Sequence, residues 1–532
     1  MGRKLLGFCV MDRYDDIVVG SGISGLTTAL ILGMNKRKVL LIEKSPRIGG
    51  SLSRFYKNGI PFDTGFHFTG GFAGDLILLD MLSVLSMDAD IQPEFIEHPQ
   101  NNKFIFENQG KSFQFRPGFN ENLEDMLAYF PGEENAISTY FAKVKNIRDN
   151  TQAMDLGSDL GSELMMEVRG EDDFVSLKNV IDSLTDNMTL KSLFSVYSMC
   201  HGTPPSQVSF ANHSKVSYSL YESIARVKGG GNAFIKTFKN RLSHYGVDIR
   251  TNCFVCSCED VQKRRVGTFV LNDGSKINAD NCIFTIHPEE ILKTFQENQT
   301  SKSFVDRVNS FEPSIGFTTA FIKLTKKDQT PFDPAIISLF PDNDMEKMFD
   351  PDFKGDLPLV LVKNTEQVNK KNIHLINAFE LSHYEHVKKW ADSTTGNRSS
   401  EYQAYKKKRI DRICQRIVQA FPEYEGCLEV IDSATMLTFR DYLNTPHGSA
   451  YGIKQKIGQL NLFGRVRYKN TFAAGQSAVL PGIIGAMMSG FTICRYLLSK
   501  EVYSEFIHDQ LKNGQLKKSQ LKKEQLKESD SK

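Results

Sequence analysis

The chain opens on apolar segments that change period around a cluster of glycines. Tyr14-Asp-Asp-Ile-Val-Val reads as a strand, Gly20-Ser21-Gly22-Ile23-Ser24-Gly25 interrupts it, and Leu26–Met34 is apolar nearly all round. Lys38-Val-Leu-Leu-Ile-Glu43 is a second apolar strand ending in an acid. Strand, glycine turn, helix, strand and acid in this order predict a βαβ unit with a dinucleotide fingerprint. Gly20 permits the tight turn, Gly22 lets a pyrophosphate approach the backbone, and Gly25 lets helix and strand pack closely. The helix N-terminus, at Ile23 and Ser24, offers unpaired N–H groups to phosphates. Glu43 stands about 20 residues on, where a carboxylate accepts from ribose hydroxyls and repels a 2′-phosphate. FAD or NAD is therefore expected rather than NADP. A glycine turn without a ligand is the bland alternative, and the full order of elements weighs against it.

Beyond Phe72 the βα rhythm stops. Leu76–Met87 predicts a helix with a wide apolar face, either buried or forming a membrane-facing tunnel mouth. Phe104-Ile-Phe-Glu and Ser112-Phe-Gln-Phe-Arg alternate, as a hairpin around Gln109-Gly110 would. Residues 120–200 look mostly helical until Pro204-Pro205 breaks the pattern. A helix is expected over Ala233–Tyr245, followed by strands through Cys253–Cys258 and a hairpin on Asp273-Gly274. Further strands are expected at Thr318–Leu324, Leu359–Lys363 and Asn372–Asn377. Glu401–Phe421 is an amphipathic helix with Ile410, Ile413, Ile417 and Phe421 on one face. Asn470–Ser477 reads as a strand ending at Gly475-Gln476, and Pro481-Gly482-Ile483-Ile484 starts a helix. From Gln515 a Gln-Leu-Lys pattern recurs every five residues, which fits a solvated helix or disorder and leaves a weak tether to anionic membranes open.

The chain has 532 residues, too many for one ordinary domain, and 40% of them are hydrophobic. The net charge of +2 argues against a nucleic-acid partner. No apolar run reaches the roughly 18–20 residues that span a bilayer. The start, basic then briefly apolar, lacks a cleavage site and the Ser/Thr that favours myristoylation, so neither a leader nor a lipid is expected. The 9 cysteines are odd in number and scattered, as expected of reduced thiols in a cytoplasmic protein. Cys253, Cys256 and Cys258 lack further ligands at zinc spacing and read as small buried thiols.

Arg47-Ile-Gly49-Gly50-Ser51 and Pro61-Phe62-Asp63-Thr64-Gly65-Phe66-His67, with the βαβ unit and the Gly475 and Gly482 segments, resemble the flavin amine oxidase and carotenoid desaturase superfamily. The likeness is greatest to the branch of phytoene desaturases, carotenoid isomerases and retinol saturases, and Gly202-Thr-Pro204-Pro205-Ser206 resembles that branch too. The resemblance implies an α/β protein: a Rossmann-type, glutathione-reductase-like FAD-binding domain with an inserted α+β substrate domain. The expected cofactor domain is discontinuous, over 12–71, 225–290 and 433–500, with a substrate domain at 72–224 and 291–432 and a charged tail at 501–532. Implied FAD contacts come from Gly20, Gly22, Ile23, Ser24, Gly25, Glu43, Lys44, Arg47, Gly49, Gly50, Ser51, Gly65, His67, Val255, Gly475, Gln476, Gly482, Ile483 and Ile484. The superfamily's usual Gly-Gly-Arg is Gly-Gly-Ser here, so Arg47 and Arg54 are the candidates to replace the arginine.

A flavin carries the hard chemistry, so few obligatory acid–base residues are expected. His67, Tyr442 and His447 are the candidate catalytic residues, against the plainer expectation of loop packing. No metal-ligand spacing and no second GxGxxG is present. Electrons must then pass through oxygen, a quinone, a partner protein or a visiting nicotinamide. The resemblance implies an apolar polyene or isoprenoid substrate, by desaturation, saturation or isomerisation, and leaves peripheral membrane contact open. The alternatives are a flavin amine oxidase acting on a small amine and a flavin-binding redox protein without turnover.

Overall fold

The computed structural model describes residues 12–73, 77–151, 156, 170–325 and 333–529. The expectation that residues 1–11 carry no leader or lipid falls outside the described residues.

Two sheets organise the described residues. The first is built on Asp12–Val19 (β1), which pairs in parallel with Val39–Ile42 (β2) on one side and Lys276–Phe284 on the other. Helix Ile23–Met34 (α1) joins β1 to β2. Asp248–Arg250 extends the sheet beyond β2, and Thr471–Ala473 lies parallel beside Lys276–Phe284. All of these parallel strands run to the same edge, where a parallel sheet places its ligand site. Their apolar runs are continuous because helices or loops cover both faces, as for the fully buried Val39–Ile42. The hairpin on Asp273-Gly274 forms as expected: Thr268–Leu271 pairs antiparallel with the start of the long strand, and Gly274 supplies the φ of +81° that the turn requires.

The second sheet runs in the order Leu428–Ala434, Gly316–Leu324, Lys371–Ser382, Leu359–Val368, Ala335–Phe340, Asn102–Phe106, Lys111–Gln114. It is antiparallel except where Ala335–Phe340 meets Asn102–Phe106. Ala335–Phe340 and Leu428–Ala434 were not anticipated from the pattern. Helix Ser400–Ala420 covers one face through Ile410, Ile413 and Ile417. The opposite face carries Phe317, Thr319, Phe321, Asn377 and Phe379, since residues two apart point the same way.

Of the two alternatives for Leu76–Met87 the buried helix is the one found, and the expectation of a solvated tail is corrected at its start. Helix Ile77–Val84 buries Ile77, Leu78, Met81 and Leu82 in the core beside helix Gly482–Leu497, so it presents no membrane-facing mouth. The chain after Ser499 is one helix, Lys500–Ser529. Its start is not solvated: Tyr503 and Ile507 sit in the same core, with Ile507 at 1% exposure. Burying two such side chains is worth about 2 kcal/mol each. Gly514 allows a close pass against Ser83, whose Oγ would lie 2.0 Å from an added Cβ. Among the described residues no helix is long and apolar enough to cross a membrane. Cys253 and Cys258 are buried as expected, whereas Cys256 is exposed.

Candidate functional site

The site begins where β1 ends. Gly20 takes φ +99°, and a Cβ there would lie 2.8 Å from the Ile286 side chain. Thr285 Oγ1 donates to the Val19 and Gly20 carbonyls at 3.0 Å each, pinning the turn to the neighbouring strand. A Cβ on Gly25 would lie 1.9 Å from the Gly20 oxygen, so only glycine allows this closure. Gly22 caps α1, and around it a Cβ would meet nothing within 4 Å. The open ground in front of the first N–H groups is where a phosphate belongs.

Glu43 is held at the end of β2. Its Oε2 accepts from the Ser21 N–H at 3.0 Å and from Ser21 Oγ at 2.5 Å, and its Oε1 accepts from the Ser45 N–H at 2.7 Å. These donors fix the orientation of the carboxylate and leave lone pairs for a ribose. The Gly49-Gly50 turn closes over the first glycine turn, with Gly49 N–H donating to the Ser21 carbonyl at 3.0 Å. The Gly65 N–H reaches the Ser51 carbonyl at 3.1 Å. Segment Arg250–Cys253 flanks Glu43, whose N–H donates to Arg250 O at 2.8 Å while Cys253 N–H donates to Glu43 O at 2.9 Å. Val255, the expected adenine neighbour, lies just beyond, buried and paired with Leu271.

A second helix N-terminus converges on this edge. Helix Gly482–Leu497 starts after Pro481, and a Cβ on Gly482 would meet nothing within 4 Å. Ser489 ties it down: its Oγ donates to Ala486 O at 2.7 Å, accepts from Gly475 N–H at 2.8 Å, and lies 2.8 Å from Ser24 Oγ. Two positive helix ends and one carboxylate thus face one groove. Gln476 is half-buried, and its carbonyl accepts from Gln455 Nε2 at 2.9 Å. Ile483 is buried and Ile484 half-buried beside Gly71. These residues fit FAD: open space at two helix ends for phosphates, and a fixed acid for ribose.

Other expected contacts are placed differently. Arg54 is buried between Asp63 at 2.7 Å and Glu366 at 2.5 Å, so it is no stand-in for the missing arginine. Arg47 is exposed, as is Lys44, whose Nζ lies 3.6 Å from Glu290. Tyr442 is 66% exposed at the surface. His447 takes φ +61° and pairs with Glu289 at 3.1 Å, while Asn444 donates to Ser45 Oγ at 3.1 Å. The Asn444–His447 loop therefore lies over the segment that follows Glu43.

His67 faces the second sheet. Its ring lies 4.1 Å from that of Phe379, and its Nδ1 is buried with no partner among the described residues. Burial, and then the Arg226 guanidinium, lower its pKa to about 3, so the ring is neutral at physiological pH. Arg226 is itself buried, donating to Asp63 at 3.0 Å. Beside Phe379, Thr319 Oγ1, Asn364 Oδ1 and Asn377 Oδ1 are buried without partners. They share the sheet face with Phe317, Phe321 and Phe379. Buried polar atoms without a protein partner among phenylalanines make this face a candidate ligand surface. Pattern reading missed Thr319, Asn364, Asn377, Arg226 and Ser489. Thr319 and Asn377 lie within strands the pattern predicts, but nothing local marks their side chains as part of a site, whereas Asp63, which holds Arg226, lies within the Pro61–His67 motif.

Residues 23–330 match the family model described as flavin containing amine oxidoreductase. Among curated proteins, all-trans-retinol 13,14-reductase of Danio rerio is 24% identical over 539 residues, covering 93% of this chain and 88% of its own. Among solved structures, an oxidoreductase from Methanosarcina mazei superposes with a TM-score of 0.63 at 13% identity, covering 90% of this chain and 99% of that one. Cyclohexylamine oxidase from Brevibacterium oxydans gives 0.58 at 14% identity, covering 93% and 99%.

Proposed function

Because the chain belongs to the flavin containing amine oxidoreductase family and is an FAD-dependent oxidoreductase, we propose that it saturates a double bond in an apolar polyene of the retinoid or carotenoid kind. The observation that carries this reading is the sheet face beyond His67, where neutral polar atoms of Thr319, Asn364 and Asn377 stand unpaired among phenylalanines. Such a surface suits a long apolar molecule with few polar groups. The likeness over 93% of the chain to a retinol 13,14-reductase supports it.

When bound and reduced, FAD supplies the hydride. The chain's own residues do the rest. Glu43 and the two helix N-termini would hold the cofactor, and His67 packs against Phe379 on the side of the second sheet. A neutral imidazole there shapes an apolar wall and adds no charge that would demand water. An amine substrate would call for a free carboxylate to hold its ammonium. Asp63, which holds Arg226 beside His67, and Glu366 are both committed to arginines. Saturation adds a hydride to one carbon and a proton to the other: an external donor such as a nicotinamide or a partner protein must deliver the two electrons, and the proton comes from solvent.

The cofactor domain is assigned to 12–71, 225–290 and 433–500, with helix Ile77–Val84 and the start of Lys500–Ser529 packed into its core, and the substrate domain to the rest of 72–224 and to 291–432. A membrane-soluble substrate implies peripheral membrane contact, and the free thiols imply a cytoplasmic setting. The test is product analysis. Chemically reduced holoenzyme, kept without oxygen, is incubated with all-trans-retinol, β-carotene or cyclohexylamine. A polyene product heavier by two hydrogens is expected. Oxidation of the amine by the oxidised enzyme, with every polyene recovered unchanged, would overturn the proposal.

A further inference from the structure

The helical layer beside the site carries a buried polar chain whose protons can be assigned. Tyr140 donates to Phe194 O at 2.9 Å, and His213 Nε2 lies 3.0 Å from the same carbonyl. A carbonyl only accepts, so His213 Nε2 carries the proton. His213 Nδ1 is then an acceptor, and His201 Nε2 donates to it at 3.1 Å. Both rings are neutral: burial lowers His213 to about 4 and takes His201 well below the ordinary range. A neutral His201 that donates from Nε2 keeps a bare lone pair on Nδ1.

That Nδ1 is buried, in a residue only 4% exposed, and has no partner among the described residues. Ser198 Oγ and Thr203 Oγ1 are equally buried and unpartnered. All three belong to one turn, closed by the His201 and Gly202 N–H groups on Ser198 O at 3.4 and 2.9 Å. Three unmet polar atoms in a single buried turn are a cost to folding unless something else satisfies them.

The turn abuts the site. A Cβ on Gly202 would lie 2.7 Å from Tyr451 Cδ2. The Tyr451 ring is 6.5 Å from Phe317, Phe317 is 6.1 Å from Phe379, and Phe379 is 4.1 Å from His67. An aromatic row therefore leads from His67 to the turn that bears His201.

We propose that this turn binds the hydroxyl end group of a polyene alcohol whose chain lies along the aromatic row, the hydroxyl donating to His201 Nδ1. This rests on the assignment of an apolar polyene as substrate, and it adds the residues that would hold a hydroxyl at the chain's end. Ser198 and Thr203 hydroxyls are the donors to the ligand oxygen, which accepts as well as donates. His213 is a positioning residue, because its bond to Phe194 O dictates which His201 nitrogen stays bare.

The test is equilibrium binding to the FAD holoenzyme, which needs no turnover. All-trans-retinol and its methyl ether, which cannot donate, are titrated by fluorescence into the wild type and into His201→Gln. The glutamine keeps a donor toward His213 and moves the acceptor from the Nδ1 position, next to Cγ, to an oxygen on Cδ that faces away from it. The wild type is expected to prefer the alcohol about tenfold, and His201→Gln to bring the ratio close to one. A tenfold preference that survives in His201→Gln would overturn the proposal and leave a buried water in the turn. If the variant does not fold, the wild-type ratio decides, and a ratio near one overturns the hydroxyl site. Equal binding with turnover of both ligands removes the hydroxyl site and leaves the polyene substrate standing. Binding of neither removes both.

Discussion

Glu43 does its work through geometry fixed before any ligand arrives. Three donors from Ser21 and Ser45 hold its carboxylate, so Glu43→Gln should weaken FAD binding about 10–100-fold, measured by cofactor release on dilution. Gly25→Ala places a methyl 1.9 Å from the Gly20 oxygen. That variant should lose about 1–3 kcal/mol of stability and purify with little FAD, readable from its melting temperature and colour. His67 presents a different case. With its pKa lowered to about 3, it stays uncharged from pH 5 to 8. His67→Phe should therefore lower kcat/KM while leaving the shape of the pH profile unchanged over that range. A lost or displaced limb would show that His67 titrates in turnover.

At the scale of elements, helices α1 and Gly482–Leu497 act as a pair, joined through Ser489, Ser24 and Gly475. Ser489→Ala removes all three contacts at a buried position. It should cost about 1–3 kcal/mol and weaken FAD binding, measured by denaturant unfolding of the holoenzyme. The βαβ unit was legible because its glycines, apolar strands and acid are contiguous, and each obeys a local rule. The pairing of Ser24 with Ser489 spans 465 positions and leaves no local signature. Asn377 and Thr319 look like ordinary polar strand residues until the register sets Thr319 opposite Phe379 and Asn377 opposite Phe321. Arg54 illustrates the reverse error. Its place after Gly-Gly-Ser suggested a cofactor contact, and only the fold shows Asp63 and Glu366 claiming it. For the tail, a helix was among the expectations, and what escaped the pattern is its docking: Tyr503 and Ile507 are too few to stand out beside the charged repeat that follows.

Across the whole molecule, the buried neutral histidines set a limit on acid tolerance. Burial lowers His67 to about 3 and His213, His287 and His383 to about 4 each, against about 6.5 in an unfolded chain. Below pH 6.5 the unfolded chain takes up protons that the folded one refuses. Stability is thus fully present above that pH and is lost as pH falls toward 4, by up to ~1.4 kcal/mol per pH unit for each histidine. The melting temperature should be flat from pH 8 to 6.5 with respect to these groups and decline below. The loop after Ile60–Asp63, tied to the Gly49-Gly50 turn by the Gly65 N–H on Ser51 O, sets His67 against Phe379 of the second sheet, which joins the proposed cofactor edge to the aromatic face. The most direct test of that arrangement follows the flavin colour without oxygen, after chemical reduction of the purified holoenzyme. Return of the yellow oxidised flavin on adding all-trans-retinol, and none on adding cyclohexylamine, is the expected result. A reduced flavin that stays colourless with every polyene, while the oxidised enzyme bleaches with the amine, would contradict it.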